Sequence, residues 1–214
     1  MSQEITNKVK KYLNNNIWYH GTVSSTWKSF CKNGILADYN KNTSSDLDFG
    51  YGFYLAPSKE RAERYILDMM KNTDFYNDSD EPMILGFEFK PLVLFESKDY
   101  NTKVFDKYND DFAIFVFENR TMNINGSNQH NYDIIFGVMS DSVPTIEIQK
   151  YKMGISSKEE VLEALKKSTS MKQLSLHNQN ICDLIKLNEA YIINKDTNER
   201  KELDVNEYNK QRIS

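Results

Sequence analysis

The most constraining stretch of this sequence covers residues 47–66, where two glycines precede a short apolar run and an amphipathic segment. Gly50 and Gly52 suit a turn with positive φ, or a main chain that a ligand approaches closely. The next three residues, Phe-Tyr-Leu, favour a strand, and Pro57 ends it. Ser58 can then cap a helix. That helix is predicted from apolar residues at helical spacing: Ala62, Tyr65, Ile66 and Met69.

A second marked segment lies upstream, at residues 17–22, and reads Ile-Trp-Tyr-His-Gly-Thr. It predicts a strand that ends in the triplet of His20, Gly21 and Thr22. Residues 24–33 follow as a predicted helix, which Gly34 closes. The helix is expected to place three residues on its inner face: Trp27, Phe30 and Cys31.

Taken together, in this order and spacing, the two segments resemble the ADP-ribosyltransferases of the diphtheria-toxin and poly-ADP-ribose-polymerase branch. The chain looks most similar to a bacterial family of that superfamily whose function is unknown. In that family Tyr-His-Gly-Ser/Thr is followed by Asp-Phe-Gly-x-Gly-Phe-Tyr-Leu, as at residues 19–22 and 48–55 here. The resemblance covers roughly residues 17–187.

The resemblance implies an α/β (α+β) fold, an ADP-ribosyltransferase-like split β-sheet core with flanking helices. One domain is predicted, since 214 residues suffice for one sizeable core. It would take in residues 1–190, with an N-terminal helix, and residues 191–214 would add a hairpin and a polar tail. Hydrophobic patterning further predicts a strand at 92–95 and leaves residues 112–117 open between strand and helix.

Composition and charge argue against several other classes of protein. The net charge is −4 and the pI about 5.5, so no global basic field attracts nucleic acid. The two cysteines are interpreted as buried thiols, and no pattern of Cys and His has the spacing of metal ligands. No secretory signal or membrane-spanning run is evident, which predicts a cytoplasmic protein with no membrane contact.

Two residues of the candidate site have the clearest counterparts in the related families. There, the histidine at the position of His20 hydrogen-bonds a ribose hydroxyl of NAD, and the main chain of the next residue, here Gly21, pairs with the nicotinamide carboxamide. The tyrosine at the position of Tyr54 stacks on nicotinamide, which a planar ring suits. Tyr65 is the candidate for the opposite wall. Thr22 and Gly52 complete the expected NAD-binding residues. Taken on its own, His20 is better interpreted as a hydrogen-bonded histidine at a strand end. Tyr54 can equally be a core tyrosine of the strand, and Tyr65 a core tyrosine of the helix.

The third catalytic position is Gln173, where the related enzymes carry a glutamate. A glutamine amide can hydrogen-bond ribose hydroxyls, but it supplies neither negative charge nor a general base. Mono-ADP-ribosylation or simple NAD binding is therefore expected rather than chain building. An ordinary strand glutamine is the alternative. Asp133 and Asp141 flank a predicted strand, where a turn-capping aspartate is the simplest interpretation.

The function implied by the resemblance is NAD-dependent mono-ADP-ribosyl transfer to an unknown macromolecular acceptor, protein or nucleic acid. NAD is then the co-substrate, His20, Tyr54 and Gln173 are the catalytic residues, and an intracellular toxin or defence effector with an antitoxin-type partner is implied. The alternative is a catalytically inactive NAD or ADP-ribose binding module, which the glutamine favours. An RNA-processing phosphotransferase of the same fold fits poorly, because the chain is acidic and has three histidines.

Overall fold

The computed structural model describes residues 5–41, 47–72, 77–122, 127–140, 143–167 and 171–210. Its strands are β1 (Ile17–Val23), β2 (Phe53–Leu55), β3 (Pro82–Glu88), β4 (Thr102–Phe105), β5 (Ile134–Val138), β6 (Lys172–Leu176), β7 (Lys186–Ile193) and β8 (Arg200–Glu202). Its helices are α1 (Asn7–Leu13), α2 (Trp27–Asn33), α3 (Lys59–Asn72), α4 (Pro91–Glu96), α5 (Asp110–Thr121), α6 (Val143–Lys152), α7 (Lys158–Leu165), α8 (Gln179–Leu184) and α9 (Val205–Lys210). A 3-10 turn, Ser24–Thr26, precedes α2. The predicted α+β class is confirmed.

The strands form two four-stranded sheets that meet along β1 and β2. The first sheet has the order β1-β3-β7-β8 and the second has the order β2-β6-β5-β4. All pairs are antiparallel except β4 with β5. Tyr19 and Ala56 join the sheets by exchanging two main-chain hydrogen bonds, of 2.9 and 2.7 Å.

The main hydrophobic core lies between the two sheets. Trp18 and Phe87 of the first sheet belong to the same buried cluster as Phe136 and Leu174 of the second, and the rings of Trp18 and Phe136 meet edge to face at 6.4 Å. A second cluster packs α5 and α7 against the outer face of the second sheet. A third packs α3 against the outer face of the first sheet. Successive strand residues point to opposite faces of a sheet. The cluster to which a strand residue belongs therefore shows whether its side chain points between the sheets or to the outer face.

The strand predicted at residues 92–95 is wrong, because this stretch is helix α4. Pro91 stands at its first turn, where the missing N–H costs no hydrogen bond and the fixed φ suits a helix. Residues 112–117, left open from the sequence, lie in α5, whose first turn is capped by Asn109 accepting from Phe112 N at 3.1 Å. Strand β4 and helices α6 and α9 were not predicted. Helix α9 lies in the stretch predicted to be a polar tail, and its Tyr208 is buried in the main core.

Towards the C-terminus the predicted hairpin is confirmed as β7 and β8, joined by a turn at residues 194–199. Strand β7 runs through residue 190, the expected boundary between the main domain segment and the hairpin. Helix α8 ends at Leu184, and β7 begins two residues later at Lys186. Among the described residues, no helix is both long enough and apolar enough to span a bilayer.

Candidate functional site

His20 lies in β1 at the edge of a pocket of about 90 Å³. Its ring packs against the ring of Phe53 at 4.5 Å and meets that of Phe30 at 6.0 Å. Nδ1 donates a hydrogen bond to the carbonyl oxygen of Tyr54 at 2.8 Å, which leaves Nε2 as the acceptor nitrogen. Burial lowers the pKa of His20 to about 4, so the imidazole is neutral at pH 7.

The rest of the pocket combines two flat rings with a row of hydroxyl groups. Phe30 and Phe53 supply the rings, and Thr22, Thr26 and Ser29 supply the hydroxyls. Thr26 Oγ1 donates to the carbonyl oxygen of Val23, so the bond between the two threonine hydroxyls, of 3.1 Å, is donated by Thr22. Two residues of the expected site, Thr22 and Gly52, therefore line the same pocket as His20.

Tyr54 lies in β2, and its side chain points away from this pocket. The flanking Phe53 and Leu55 belong to the core between the sheets, whereas Tyr54 packs in the cluster on the outer face of the second sheet. Its ring lies 6.4 Å from that of Phe49, nearly parallel. Its hydroxyl donates to Gly50 O at 2.7 Å and accepts from Phe49 N at 3.1 Å. The hydroxyl of Tyr54 thus fixes the preceding turn.

Gln173 lies in β6 on the same face as Tyr54. Its neighbour Leu174 points into the core between the sheets, so alternation turns Gln173 outward. The side chain is buried, and Nε2 donates to Asp48 Oδ2 at 3.0 Å and to Val138 O at 3.4 Å. The structure therefore brings Tyr54 and Gln173 together on one face and places His20 on the other.

Gly21 lies in β1, where β1 and β2 separate. Tyr19 and Ala56 exchange two hydrogen bonds, so a regular antiparallel ladder would next pair Gly21 with Tyr54. Instead, the carbonyl oxygen of Tyr54 accepts from the His20 ring, and β1 and β2 separate. By strand alternation, the N–H and C=O of Gly21 point into this gap.

The absence of a side chain at Gly21 is explained by helix α3. A Cβ there would lie 2.7 Å from the carbonyl oxygen of Ala62 and 3.1 Å from Cβ of Ile66. Close packing of α3 on β1 thus requires glycine at this position. Tyr65, on the same helix, is 43% exposed.

The hydroxyl of Tyr54 has a raised pKa. Burial is the main cause, the negative charge of Asp48 adds to it, and the nearby hydroxyl of Tyr65 contributes least.

The turn at residues 49–52 is held by hydrogen bonds to all of its main-chain polar groups, and side chains provide nearly all of them. Asn128 accepts from Tyr51 N at 2.7 Å and donates to Tyr51 O at 2.9 Å. Asn40 makes the same pair of bonds with Gly52, at 3.0 and 3.1 Å. Gly50 N donates to Leu47 O at 3.3 Å, the one main-chain partner.

Two imidazoles complete the support of this turn. His130 Nε2 donates to Phe49 O at 2.9 Å, and its Nδ1 accepts from Tyr132 N. His177 Nδ1 donates to Tyr51 O at 2.6 Å, and its Nε2 accepts from the hydroxyl of Ser175 at 2.8 Å. Burial lowers the pKa of both rings, that of His177 to about 3, so both are neutral at pH 7.

These contacts decide between the two explanations of the glycines in the turn. Gly50 has φ +76°, and a Cβ on it would collide with the side chain of Asn128. Gly52 is not in the left-handed region, but a Cβ there would lie 2.7 Å from His177 Nδ1. Gly50 therefore provides a positive φ, and Gly52 allows a close approach by a side chain of the protein itself.

Sequence reasoning missed a buried ion pair beside Gln173. Arg120 Nη2 donates to Asp48 Oδ1 at 2.8 Å, and the two side chains are only 7% and 5% exposed. Asp48 Oδ2 also accepts from Ser140 N at 2.8 Å, and its Oδ1 accepts from the Ser140 hydroxyl. Asp48 was visible as the first residue of the Asp-Phe-Gly motif, but nothing marked Arg120 as its partner.

The two aspartates left without a role differ in what the structure says of them. Asp133 accepts from Asn101 N and from Asn178 Nδ2, both at 2.8 Å, which agrees with the capping interpretation. Asp141 lies outside the described residues. Across the described ranges there is no cluster of three or more His, Cys, Asp or Glu residues that could bind a metal ion.

A model of a protein family described as being of unknown function, DUF3990, matches residues 31–187. The match includes Tyr54 and Gln173 and begins after His20 and Gly21. No curated protein matches the chain.

Proposed function

We propose a function for this chain, which belongs to the DUF3990 family: it binds NAD and transfers ADP-ribose to a macromolecular acceptor, releasing nicotinamide. One observation carries the proposal. At the junction of the sheets, the His20 ring donates to the carbonyl oxygen of Tyr54, which would otherwise pair with Gly21 in a regular ladder. The main-chain N–H and C=O of Gly21 therefore face the gap between β1 and β2. We infer that a bent dinucleotide binds across this position, with one half on each face.

The His20 face suits the adenosine half of NAD. Phe30, which is partly exposed, offers a flat apolar surface for a base, and the buried ring of Phe53 packs against His20 beside it. Nε2 of His20 accepts a hydrogen bond from a ribose hydroxyl, and its neutral state at pH 7 keeps that nitrogen available. The hydroxyls of Thr22 and Ser29 lie in the same pocket.

The Gly21 edge suits the nicotinamide. A primary carboxamide carries one acceptor and two donors, so it can pair with the N–H and C=O of a single residue. The ring would then lie towards the face that carries Tyr54 and Gln173. Tyr65, partly exposed on α3, can contribute a second aromatic surface there.

The chemistry on this face is bond cleavage without proton donation. The bond between the anomeric carbon and the nicotinamide nitrogen breaks, and nicotinamide leaves as a neutral molecule. The ribose carries the positive charge of an oxocarbenium-like transition state. The acceptor atom then bonds to the anomeric carbon and loses its proton to water.

The inactive binding module is the second candidate, and one observation favours it. The negative charge nearest to Gln173 is that of Asp48, which is paired with Arg120. The face therefore offers little net negative charge to stabilise an oxocarbenium ion. On this reading the same residues bind NAD and turn it over slowly or not at all.

One experiment separates the two candidates. Purified protein is incubated with NAD, with and without cell lysate as a source of acceptor, and melting temperature and nicotinamide release are measured. A ligand that binds only the folded state raises the melting temperature. A rise with release supports the transferase, whereas a rise without release supports the binding module. An unchanged melting curve at millimolar NAD contradicts both.

His20→Ala tests the pocket directly. We expect the melting shift with NAD to disappear, because the variant lacks the ribose contact and frees Tyr54 O to pair with Gly21 N. Ser157→Ala is the control, since it removes a helix cap at α7 and none of the pocket contacts. A full NAD shift in His20→Ala would show that NAD does not bind at this pocket.

A further inference from the structure

Gln173 and Asp48 form a buried polar contact that fixes which way round the glutamine amide lies. We propose that Asp48 is a positioning residue: it holds Gln173 Nε2 so that Oε1 faces the ligand and accepts a hydrogen bond from a ribose hydroxyl. The inference rests on the proposed function, since it assigns a task to Gln173 within the same NAD site.

The orientation of the amide follows from the partners of Nε2. Asp48 Oδ2, at 3.0 Å, and Val138 O, at 3.4 Å, can only accept hydrogen bonds. The flipped amide would place Oε1 against two oxygen atoms, so this orientation is excluded. In the part of the chain that the structure describes, no group donates to Oε1.

The aspartate is itself locked in place, with donors on both of its oxygens. Arg120 and the Ser140 hydroxyl donate to Oδ1, while Ser140 N and Gln173 Nε2 donate to Oδ2. Only a carboxylate accepts on both sides. An asparagine at residue 48 would keep its oxygen towards the charged Arg120 and turn its NH₂ group towards Ser140 N and Gln173.

The consequence for recognition is a fixed polarity at Gln173. Its oxygen can take a hydroxyl hydrogen from the ligand, but the amide cannot donate to a ligand carbonyl or phosphate. A sugar hydroxyl is a donor as well as an acceptor, so it satisfies this site. An analogue that has fluorine in place of that hydroxyl offers no donor, so it leaves Oε1 unpaired and should bind more weakly.

The test compares two ligands by calorimetry: NAD, and an NAD analogue in which fluorine, which cannot donate a hydrogen bond, replaces the 2′-hydroxyl of the nicotinamide ribose. We expect wild type to prefer NAD by about tenfold, roughly the effect of one hydrogen bond. The preference should fall to near one in Gln173→Met, which removes the acceptor, and in Asp48→Asn, whose NH₂ group flips the Gln173 amide so that Nε2 rather than Oε1 faces the ligand. A merely structural defect would weaken both ligands equally and leave the ratio unchanged.

Asp133→Asn is the matched control, because it also removes a carboxylate with two hydrogen-bond donors and lies outside this network. It should keep the tenfold preference. If Asp48→Asn does not fold, because it leaves Arg120 buried without a counter-ion, Asp48→Leu combined with Arg120→Met replaces it, since this pair removes both charges and leaves Gln173 Nε2 without its carboxylate acceptor.

The outcomes distinguish a failure of the proposed function from a failure of the role given to Asp48. A wild-type protein that does not bind NAD refutes the proposed function. A wild-type protein that binds both ligands equally keeps the proposed function and overturns this inference. A tenfold preference that survives in the Asp48 variant shows that Asp48 does not position Gln173.

Discussion

Gly50→Ala should strongly destabilise the protein, for two separable reasons. Gly50 has φ +76°, where an L-residue costs about 1–2 kcal/mol. The new Cβ would also displace Asn128, whose two hydrogen bonds to Tyr51 are worth about 0.5–1.5 kcal/mol each. The free energy of unfolding should therefore fall by about 2–5 kcal/mol.

Gly154→Ala is a matched control for the conformational part. Gly154 has φ +71°, and no atom lies within 4 Å of the added Cβ. Its substitution should cost only the conformational penalty, and the effect of alanine on the unfolded chain is the same in both variants. The excess cost at Gly50 then measures the displacement of Asn128.

Urea denaturation gives both free energies of unfolding, provided that the slope with denaturant is unchanged. In an Asn128→Ala background, Gly50→Ala should cost no more than Gly154→Ala. If the two glycine variants lose the same stability in the wild-type background, Asn128 does not brace the turn and the reasoning from its contacts fails.

Three further predictions concern charge and capping. Gln173→Glu places a new carboxyl group beside Asp48, and the repulsion between the two raises the pKa of the new carboxyl above its unfolded value of about 4.3. Urea denaturation should therefore show a loss of stability, relative to wild type, that grows from pH 4 to pH 8. A loss that stays constant over this range contradicts the prediction. Burial lowers the pKa of His177 to about 3, below its unfolded value of about 6.5, so stability is present above pH 6.5 and falls as pH drops towards 3. His177→Asn, whose amide can still donate to Tyr51 O, should flatten that loss in melts between pH 6.5 and 4, and an unchanged slope refutes the assignment. Ser157→Ala breaks a capping box and should cost about 1 kcal/mol in urea denaturation, whereas no loss would mean that the cap is redundant.

The parts of the fold that could be predicted from the sequence are those with a local cause. The three-residue spacing of Ser157 and Glu160 predicts the start of a helix. In the structure the Ser157 hydroxyl accepts from Glu160 N, and the Glu160 carboxylate accepts from Ser157 N. Gly34 closes α2 with φ 69°. Residues 92–95 misled because four apolar residues fit either a strand or one helical turn, and Pro91 decided for the helix.

The site was less accessible to sequence reasoning, because its geometry depends on contacts between distant segments. The sequence motifs place His20, Tyr54 and Gln173 on three different strands, and in the structure these are β1, β2 and β6. That Tyr54 and Gln173 share one face and His20 the other depends on the sheet register. No local pattern could reveal that Arg120, at the end of α5, reaches Asp48 across 72 residues of sequence.

The membership of the two sheets has a consequence for how the chain assembles. Strands β2, β4, β5 and β6 fall between β1 and β7 in the chain, so the second sheet is contained within the sequence of the first. Strand β3 pairs with β1 on one edge, but its other edge stays exposed until β7 has been synthesised. Such non-local pairing slows folding, and an exposed strand edge invites pairing with other chains. Truncation before Lys186 should therefore yield an aggregating fragment rather than a smaller domain, and folding of the whole chain should be slow and should wait for its last strands.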